Sequence, residues 1–163
     1  MPEYLSIKER VERQVARQVE TIADVAVVER WEAAGNSGQH NAVIVVAGDE
    51  RVVSGTTPAH DVQLCETPIQ LHWIVAEARG GENGSFTHNR RAAQLEAALF
   101  ANEYLAEAVT GERLAMDMTK AGVFAPPVEP EQPAAVTILE VTVQYQHIRG
   151  DPTVGPGITR LEV

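Results

Sequence analysis

Residues 135–147, with the sequence AVTILEVTVQYQH, decide the fold, and residues 148–157, IRGDPTVGPG, follow them directly. Apolar and polar side chains alternate along the first stretch. One set comprises Leu139, Val141, Val143 and Tyr145, and the other comprises Glu140, Thr142, Gln144 and Gln146. Because successive side chains point to opposite faces of a strand, this alternation predicts a β-strand with one buried face.

The composition changes after this strand. Glycine and proline recur there, at Gly150, Pro152, Gly155, Pro156 and Gly157. Neither residue type sustains regular strand pairing, since glycine adds backbone freedom and proline lacks the N–H group. We therefore predict one domain over residues 1–148 and an extended C-terminal arm over residues 149–163. Such an arm favours contact with another molecule, and so assembly rather than catalysis.

The overall composition is that of an ordinary soluble domain. The chain has 163 residues, of which 44% are hydrophobic and 22% are charged, so it can bury a sizeable core. It contains no apolar run of about 20 residues that would predict a membrane span. Its start, MPEYLSIKER, lacks the pattern of a signal peptide, and its single cysteine excludes an internal disulfide. The net charge of −10 argues against a protein that coats nucleic acid, because such a protein needs clustered Lys and Arg.

A first helix is predicted near the N-terminus. Ser6 and Glu9 have the spacing of a capping box, in which each side chain bonds the backbone of the other residue. An apolar stripe follows at helical spacing and comprises Ile7, Val11, Val15, Val19 and Ile22. Arg10, Arg13 and Arg17 share another face. That face is either solvated and paired with neighbouring glutamates, or a contact for an acidic partner.

The remaining pattern predicts strands, one more main helix and a final strand. We expect strands at 24–32 and 41–47, a short continuation at 51–54, and a long extended stretch at 62–78 that Pro68 divides or marks as an edge. A second helix is predicted at 89–109, ended by Gly111, with a further helical turn at 114–120 and a proline-rich connector at 126–133. The fold class is therefore α+β, with a mixed, largely antiparallel single-layer sheet and two main helices packed on it.

The sequence contains no recognisable catalytic or metal-binding motif. Its five histidines do not stand at ligand spacing, and one cysteine does not build a thiolate zinc site. Cys65 is expected to be a buried small residue of a strand. The glycine-rich run GGENG lacks the Gly-Lys-Ser/Thr ending of a phosphate-binding loop. We therefore predict no catalytic residue, no metal and no cofactor.

The chain resembles the tail terminator, or tail completion, proteins of long-tailed bacteriophages and phage-like particles. The resemblance is carried by IKERVERQVARQVETI in the first helix, by an apolar strand followed by Gly48, Asp49 and Glu50, and by the alanine-rich helix from Ala92. The terminal stretch TVQYQHIRGDPTVGPG is its most specific part. The resemblance covers most of the chain in order and spacing.

This resemblance implies a structural role in the virion. Proteins of the family form a hexameric ring that caps the finished tail tube, ends tube polymerisation and meets the head–tail connector protein. The implied partners are thus other copies of the chain, the tail tube protein and the connector, with DNA only as cargo passing through the lumen. The resemblance implies no enzymatic activity, no cofactor and no membrane partner. The implied location is the tail or neck of the virion, after assembly in the host cytoplasm.

Ring assembly uses a heterologous interface, in which one patch meets a different patch of the next subunit. The predicted interface residues are Tyr145 near the rim, Arg149, Gly150, Asp151 and Pro152 in the arm, and Arg10, Arg13 and Arg17 on the first helix. Two alternatives remain open. One is another neck or minor tail component, such as a head-closure protein. The other is a small enzyme or ligand-binding domain, which predicts a monomer or dimer with a concave pocket.

Overall fold

The computed structural model describes six stretches of the chain, namely residues 1–22, 25–29, 41–53, 61–76, 84–126 and 134–163. They form two helices and six strands. In chain order these are α1 (Ile7–Val19), β1 (Ala26–Glu29), β2 (Asn41–Ala47), β3 (Arg51–Val52), β4 (Val62–Ala76), α2 (Ser85–Phe100), β5 (Asp117–Phe124) and β6 (Ala134–Ile148). Neither helix in the described part is long and apolar enough to cross a membrane.

The strands form one sheet with the order β1-β2-β4-β6-β5, and β3 pairs with β4 beyond the end of β2. Strands β1 and β2 run parallel, and every other pairing is antiparallel. The centre is the pairing of β4 with β6, which extends without a break from Val62 opposite Ile148 to Ala76 opposite Ala134. The α+β fold with a mixed, largely antiparallel sheet is therefore confirmed.

Strand β6 has the two faces that its sequence predicts. Leu139, Val141, Val143 and Tyr145 are fully buried in one core with α1 and α2, whereas the alternating polar side chains are half-buried on the opposite face. Both helices thus contribute to the core on one face of the sheet. This arrangement follows from the period of two, because only one face of the strand is apolar enough to bury.

Pro68 neither divides β4 nor lies on an edge strand, in contrast to the sequence prediction. It lies inside the strand opposite Thr142, and its carbonyl oxygen accepts the N–H of Gly48 at 2.7 Å. Gly48 follows the end of β2. The Pro68 nitrogen, which carries no hydrogen, therefore faces the gap between β2 and β3. Proline is tolerated here because no strand needs a donor at this position.

Helix α1 begins and ends close to its predicted bounds. Ser6 is the N-cap, and its hydroxyl accepts the N–H of Glu9 at 3.1 Å. The predicted stripe is buried, with Ile7, Val11, Val15 and Val19 all at 0% exposure. The Ser6 cap and the stripe therefore set the helix together, while the Glu9 carboxylate pairs with Arg13 instead of completing the capping box.

Helix α2 ends nine residues before its predicted end. The backbone leaves the helix after Phe100, where the Asn102 side chain accepts the N–H of Ala106 at 2.9 Å and donates to its carbonyl at 3.0 Å. Leu105 adopts a positive φ of 47° in this loop. The side chain of Asn102 thus offers the backbone an alternative to the helix. Gly111, with φ 74°, closes a separate turn by donating to Glu107.

A strand replaces the helical turn predicted at 114–120. Met116 donates its N–H to the carbonyl of Gln144, and β5 then pairs along β6 with a bulge between Lys120 and Gly122. The exposed, bulged residues of this strand give it little apolar alternation, which explains why the pattern did not indicate it. Most of the predicted connector, residues 127–133, lies outside the described residues.

The C-terminal segment, residues 149–163, folds back onto the start of α1 through a series of turns. Leu5 donates its N–H to the carbonyl of Leu161, and Ile7 donates to that of Pro152, at 2.9 and 2.8 Å. Ile158 is 5% exposed and belongs to the core. At Gly155 a Cβ would lie 2.6 Å from the carbonyl oxygen of Gln146, so only glycine fits this approach. The segment therefore differs from the extended arm expected from its glycines and prolines, because those residues form turns.

Candidate functional site

Arg10 lies inside the subunit, which corrects its prediction as a surface contact. It is 1% exposed and forms a bidentate pair with the Glu107 carboxylate, with N–O distances of 2.8 and 2.7 Å. Its Nη1 also donates to the carbonyl of Thr159 at 2.6 Å. The hydrogen bond from Arg10 holds the pKa of Glu107 below its ordinary value. One side chain thus joins α1, the loop after α2 and the C-terminal segment.

The other two predicted arginines of α1 are exposed. Arg13 pairs with Glu9 at 2.9 Å, one helical turn away. This ion pair is the one expected for a solvated helix face. Arg17 lies on the surface one turn further along the same helix. Of the three arginines, only these two can meet a partner without unfolding the subunit.

The four predicted arm residues form a turn at the surface. Arg149 is exposed, and its N–H is fixed to the carbonyl of Asp61 at 2.7 Å. Gly150 is exposed and has a φ of 82°, a conformation that glycine adopts without strain. Pro152 exposes its ring while its carbonyl accepts the N–H of Ile7.

Asp151 is held by its own chain. Its carboxylate accepts the hydroxyl and the N–H of Thr153, at 2.5 and 3.1 Å, and pairs with Arg160. The Thr153 hydroxyl and then the Arg160 guanidinium lower the pKa of Asp151 to about 2. The turn is therefore a preformed surface feature whose Arg149 and Pro152 side chains are accessible.

Tyr145 is buried, which corrects its predicted place at an interface rim. It has 0% exposure, and its hydroxyl donates to Glu50 at 2.5 Å and lies 2.9 Å from the Thr67 hydroxyl. Burial raises the pKa of Tyr145 above its ordinary value. The alternation of β6 placed Tyr145 on the apolar face, and that face is the one covered by the helices.

A cluster of polar side chains surrounds Tyr145. The register of β4 and β6 sets Cys65 opposite Tyr145 and Gln63 opposite His147, so Cys65 and His147 share the helix-covered face. The Glu50 carboxylate, the Cys65 thiol and a ring nitrogen of His147 all lie within 4.8 Å of one another. Burial, and then the nearby Glu50, raise the pKa of the Cys65 thiol to about 11. We call Glu50, Cys65 and His147 the Cys–His–Glu cluster.

Sequence reasoning missed this cluster. The prediction of Cys65 as a buried strand residue is confirmed, but its neighbours are 15 and 82 positions away, counting from 65 to 50 and from 65 to 147. No local spacing links such residues. Only the register of β4 on β6 brings the thiol and the imidazole together, and the sequence does not contain that register as a motif.

Strand β5 is the second feature that sequence reasoning missed. It is the last strand on its side of the sheet, and among the described strands only β6 pairs with it. Two large apolar side chains are exposed there, Met116 directly before the strand at 51% and Phe124 at its last position at 41%. Exposed apolar side chains beside an unpaired strand edge are features of a surface for another chain.

One recess among the described residues does not gather free polar groups. It has a volume of about 380 Å³ and lies between α1 and β2. Its charged side chains are paired with one another, Lys8 with Glu12 and Arg13 with Glu9, both at 2.9 Å. A ligand site needs a few convergent polar groups that remain available. This recess therefore gives no specific support to the ligand-binding alternative.

No protein-family model matches the chain, and no curated protein matches it.

Proposed function

We propose that the chain is the subunit of a ring that caps the tail tube of a long-tailed phage or phage-like particle. The ring ends tube polymerisation and offers the surface that joins the head connector. The resemblance of the sequence to tail terminator proteins motivates the proposal. The α+β sheet with helices packed on it is the fold that this resemblance implies, and it supports the proposal without deciding it.

The observation that carries the proposal is the presence of two unlike sheet edges. Among the described strands the sheet ends in β1, which pairs in parallel, and in β5, which pairs antiparallel. Contact between two different patches of identical subunits is head-to-tail, and it closes into a ring when the rotation between subunits divides a full turn. We propose β5, with Met116 and Phe124, as one side of that contact.

The surface turn after β6 is a second proposed contact. The side chains of Arg149 and Pro152 are accessible there, and the backbone that carries them is fixed by hydrogen bonds to Asp61 and Ile7. A fixed turn loses little conformational entropy on binding. Arg149 is suited to a carboxylate on the neighbouring subunit or on the connector, since its guanidinium makes two parallel hydrogen bonds.

The proposed role is structural, without catalysis or a cofactor, and the proposed place of the protein is the neck of the virion. Its partners would be further copies of the chain, the tail tube protein and the connector. The net charge of −10 suits a lumen through which DNA passes, because acidic walls do not retain a polyanion. A head-closure protein would bind the connector or portal but not the free end of a tube.

The test is tube capping, observed by negative-stain electron microscopy. Purified tail tubes from the particle that encodes the chain are mixed with the protein, and we expect added density at one end of each tube and no further growth. Met116→Glu with Phe124→Glu should abolish capping, because both side chains are exposed and charge repels an apolar partner. The control is Val109→Glu, since Val109 is 66% exposed in the loop after α2 and belongs to neither edge strand.

The experiment tests the proposed function and the proposed contact surface on β5 separately. Wild-type protein that leaves tube ends bare and growing would overturn the proposed function. If the Met116→Glu, Phe124→Glu variant caps tubes as well as the wild type does, β5 is not the contact surface. The proposed function would then remain supported by the capping itself.

A further inference from the structure

The Cys–His–Glu cluster combines three different metal-ligating groups on a rigid frame. Cys65 and His147 are 0% and 8% exposed and lie on the paired strands β4 and β6, and Glu50 approaches them from the turn before β3. We propose that Glu50, Cys65 and His147 form a binding site for a divalent transition-metal ion of the zinc type. This site is independent of the proposed function.

The chemistry of the three groups selects this class of ion. A thiolate, an imidazole and a carboxylate are all ligands of Zn²⁺, whereas Mg²⁺ and Ca²⁺ take oxygen ligands almost alone. Around one Zn²⁺ in a tetrahedral site, neighbouring ligand atoms lie roughly 3.5 Å apart, as its bond lengths require. The three ligand atoms here all lie within 4.8 Å of one another. No separation therefore has to shorten by more than about 1.3 Å to reach that spacing, and the exposed Glu50 can supply part of this movement.

The surrounding hydrogen bonds orient the ligands. The Nδ1 atom of His147 lies 2.7 Å from the carbonyl oxygen of Ile148, and because that oxygen only accepts, Nδ1 carries the proton. Nε2 is then the ring nitrogen whose lone pair is free to bind an ion. A histidine ligand in metal sites commonly has this backbone partner on its other nitrogen.

The carboxylate is also oriented from outside the cluster. Tyr145, which is not a proposed ligand, donates its hydroxyl to Glu50 and is itself placed by Thr67. These partners orient two of the three ligands before any ion binds. When the ion binds, Cys65 loses its thiol proton to the solvent and coordinates as the thiolate, and no electron is transferred.

Three protein ligands leave one position of a tetrahedron for water. With both strands and the turn before β3 attached to one ion, the bound form is more stable than the free form by linkage. The site would therefore fasten the exposed Glu50 turn to the central pair of strands.

The experiment is a titration of the full-length protein, first freed of metal by a chelator, with Co²⁺ followed by absorption. Co²⁺ takes the place of Zn²⁺ and reports its own ligands, since a thiolate gives a charge-transfer band in the near ultraviolet. We expect one equivalent of Co²⁺ to produce that band, and Zn²⁺ to remove it by competition. Zn²⁺ should also raise the melting temperature of the wild-type protein.

Three variants and one control decide the assignment. Cys65→Ser should remove the charge-transfer band, and His147→Gln and Glu50→Gln should each weaken Co²⁺ binding by at least about tenfold. His72→Gln is the control, because His72 is a half-buried histidine on the opposite face, bonded to Gln70. The His72→Gln variant should bind Co²⁺ as tightly as the wild-type protein does.

Absence of the band in the wild-type protein would overturn the proposal, and so would unchanged binding in both the Glu50 and the His147 variants. Glu50→Gln keeps the test decisive if a change at a buried position unfolds the chain, since Glu50 is exposed.

Discussion

The two helices have similar lengths but are held in different ways. Helix α1 buries seven of its 13 residues, whereas α2 buries three of 16. The Ser6 hydroxyl caps α1, and Arg10 bonds it to two distant segments, while the N-cap of α2 is Gly84 without a side-chain bond. The difference indicates that α1 is the internal support of the subunit and that α2 leaves more of its surface open to contact.

The largest effect is expected for a charge in the α1 stripe. Val15 is fully buried, so Val15→Asp places an unpaired carboxylate among apolar side chains. We expect a loss of about 4 kcal/mol or more in the free energy of unfolding, measured by urea denaturation. Ala97→Asp at an exposed position of α2 should cost under about 1 kcal/mol. Equal losses in the two variants would contradict the contrast between the helices.

Arg10→Met is expected to have the next largest effect. It leaves the Glu107 carboxylate buried without its cationic partner, which should cost about 3–5 kcal/mol in the free energy of unfolding. Arg13→Met removes an exposed ion pair of the same helix and should cost at most about 0.5 kcal/mol. Adding Glu107→Leu to Arg10→Met should recover much of the loss. If it recovers nothing, the pair is not what stabilises this junction.

The same pair predicts an acid-dependent loss of stability. The pKa of Glu107 is lowered in the folded chain from its ordinary value of 4.5, so the ionised carboxylate stabilises the fold above that pH. This contribution disappears as the pH falls below 4.5 and passes through the lowered pKa. Unfolding in urea at a series of pH values should show this slope, and Glu107→Gln should reduce it. Asp151→Asn should also reduce the slope, because the pKa of Asp151 is lowered too, so the two single variants separate the two contributions.

The smallest effects concern the helix caps. Ser6→Ala removes the hydroxyl that accepts the Glu9 N–H and should cost about 1 kcal/mol. Gly84→Ser offers α2 the cap it lacks and should gain a few tenths of a kcal/mol, about the difference between Gly and Ser at an N-cap. Thermal unfolding of the two single variants measures both. A gain from Ser6→Ala would show that the Ser6 hydroxyl does not hold α1.

The sequence could predict those elements whose structure is set by a pattern within the element itself. Helix α1 and strand β6 follow from local patterns, because the Ser6–Glu9 spacing and the period from Leu139 to Tyr145 each act within one element. The α+β class follows from their order. These patterns are sufficient where burial on one face decides the structure.

Other elements depend on contacts that no local pattern contains. The end of α2 depends on the Asn102 side chain, and β5 exists because β6 offers an edge for it. The interior positions of Arg10 and Tyr145 depend on Glu107 and Glu50, which lie far away in sequence. The charge of Arg10 indicated a surface, but polar groups are buried when partners satisfy them.

The most direct test of the proposed assembly is the mass of the protein in solution, measured by light scattering with and without tail tubes. We predict a ring of hexamer size, either free or formed only when tube ends are present. A stable monomer that does not bind tail tubes would contradict the proposed assembly and would favour a head-side part or a ligand-binding domain.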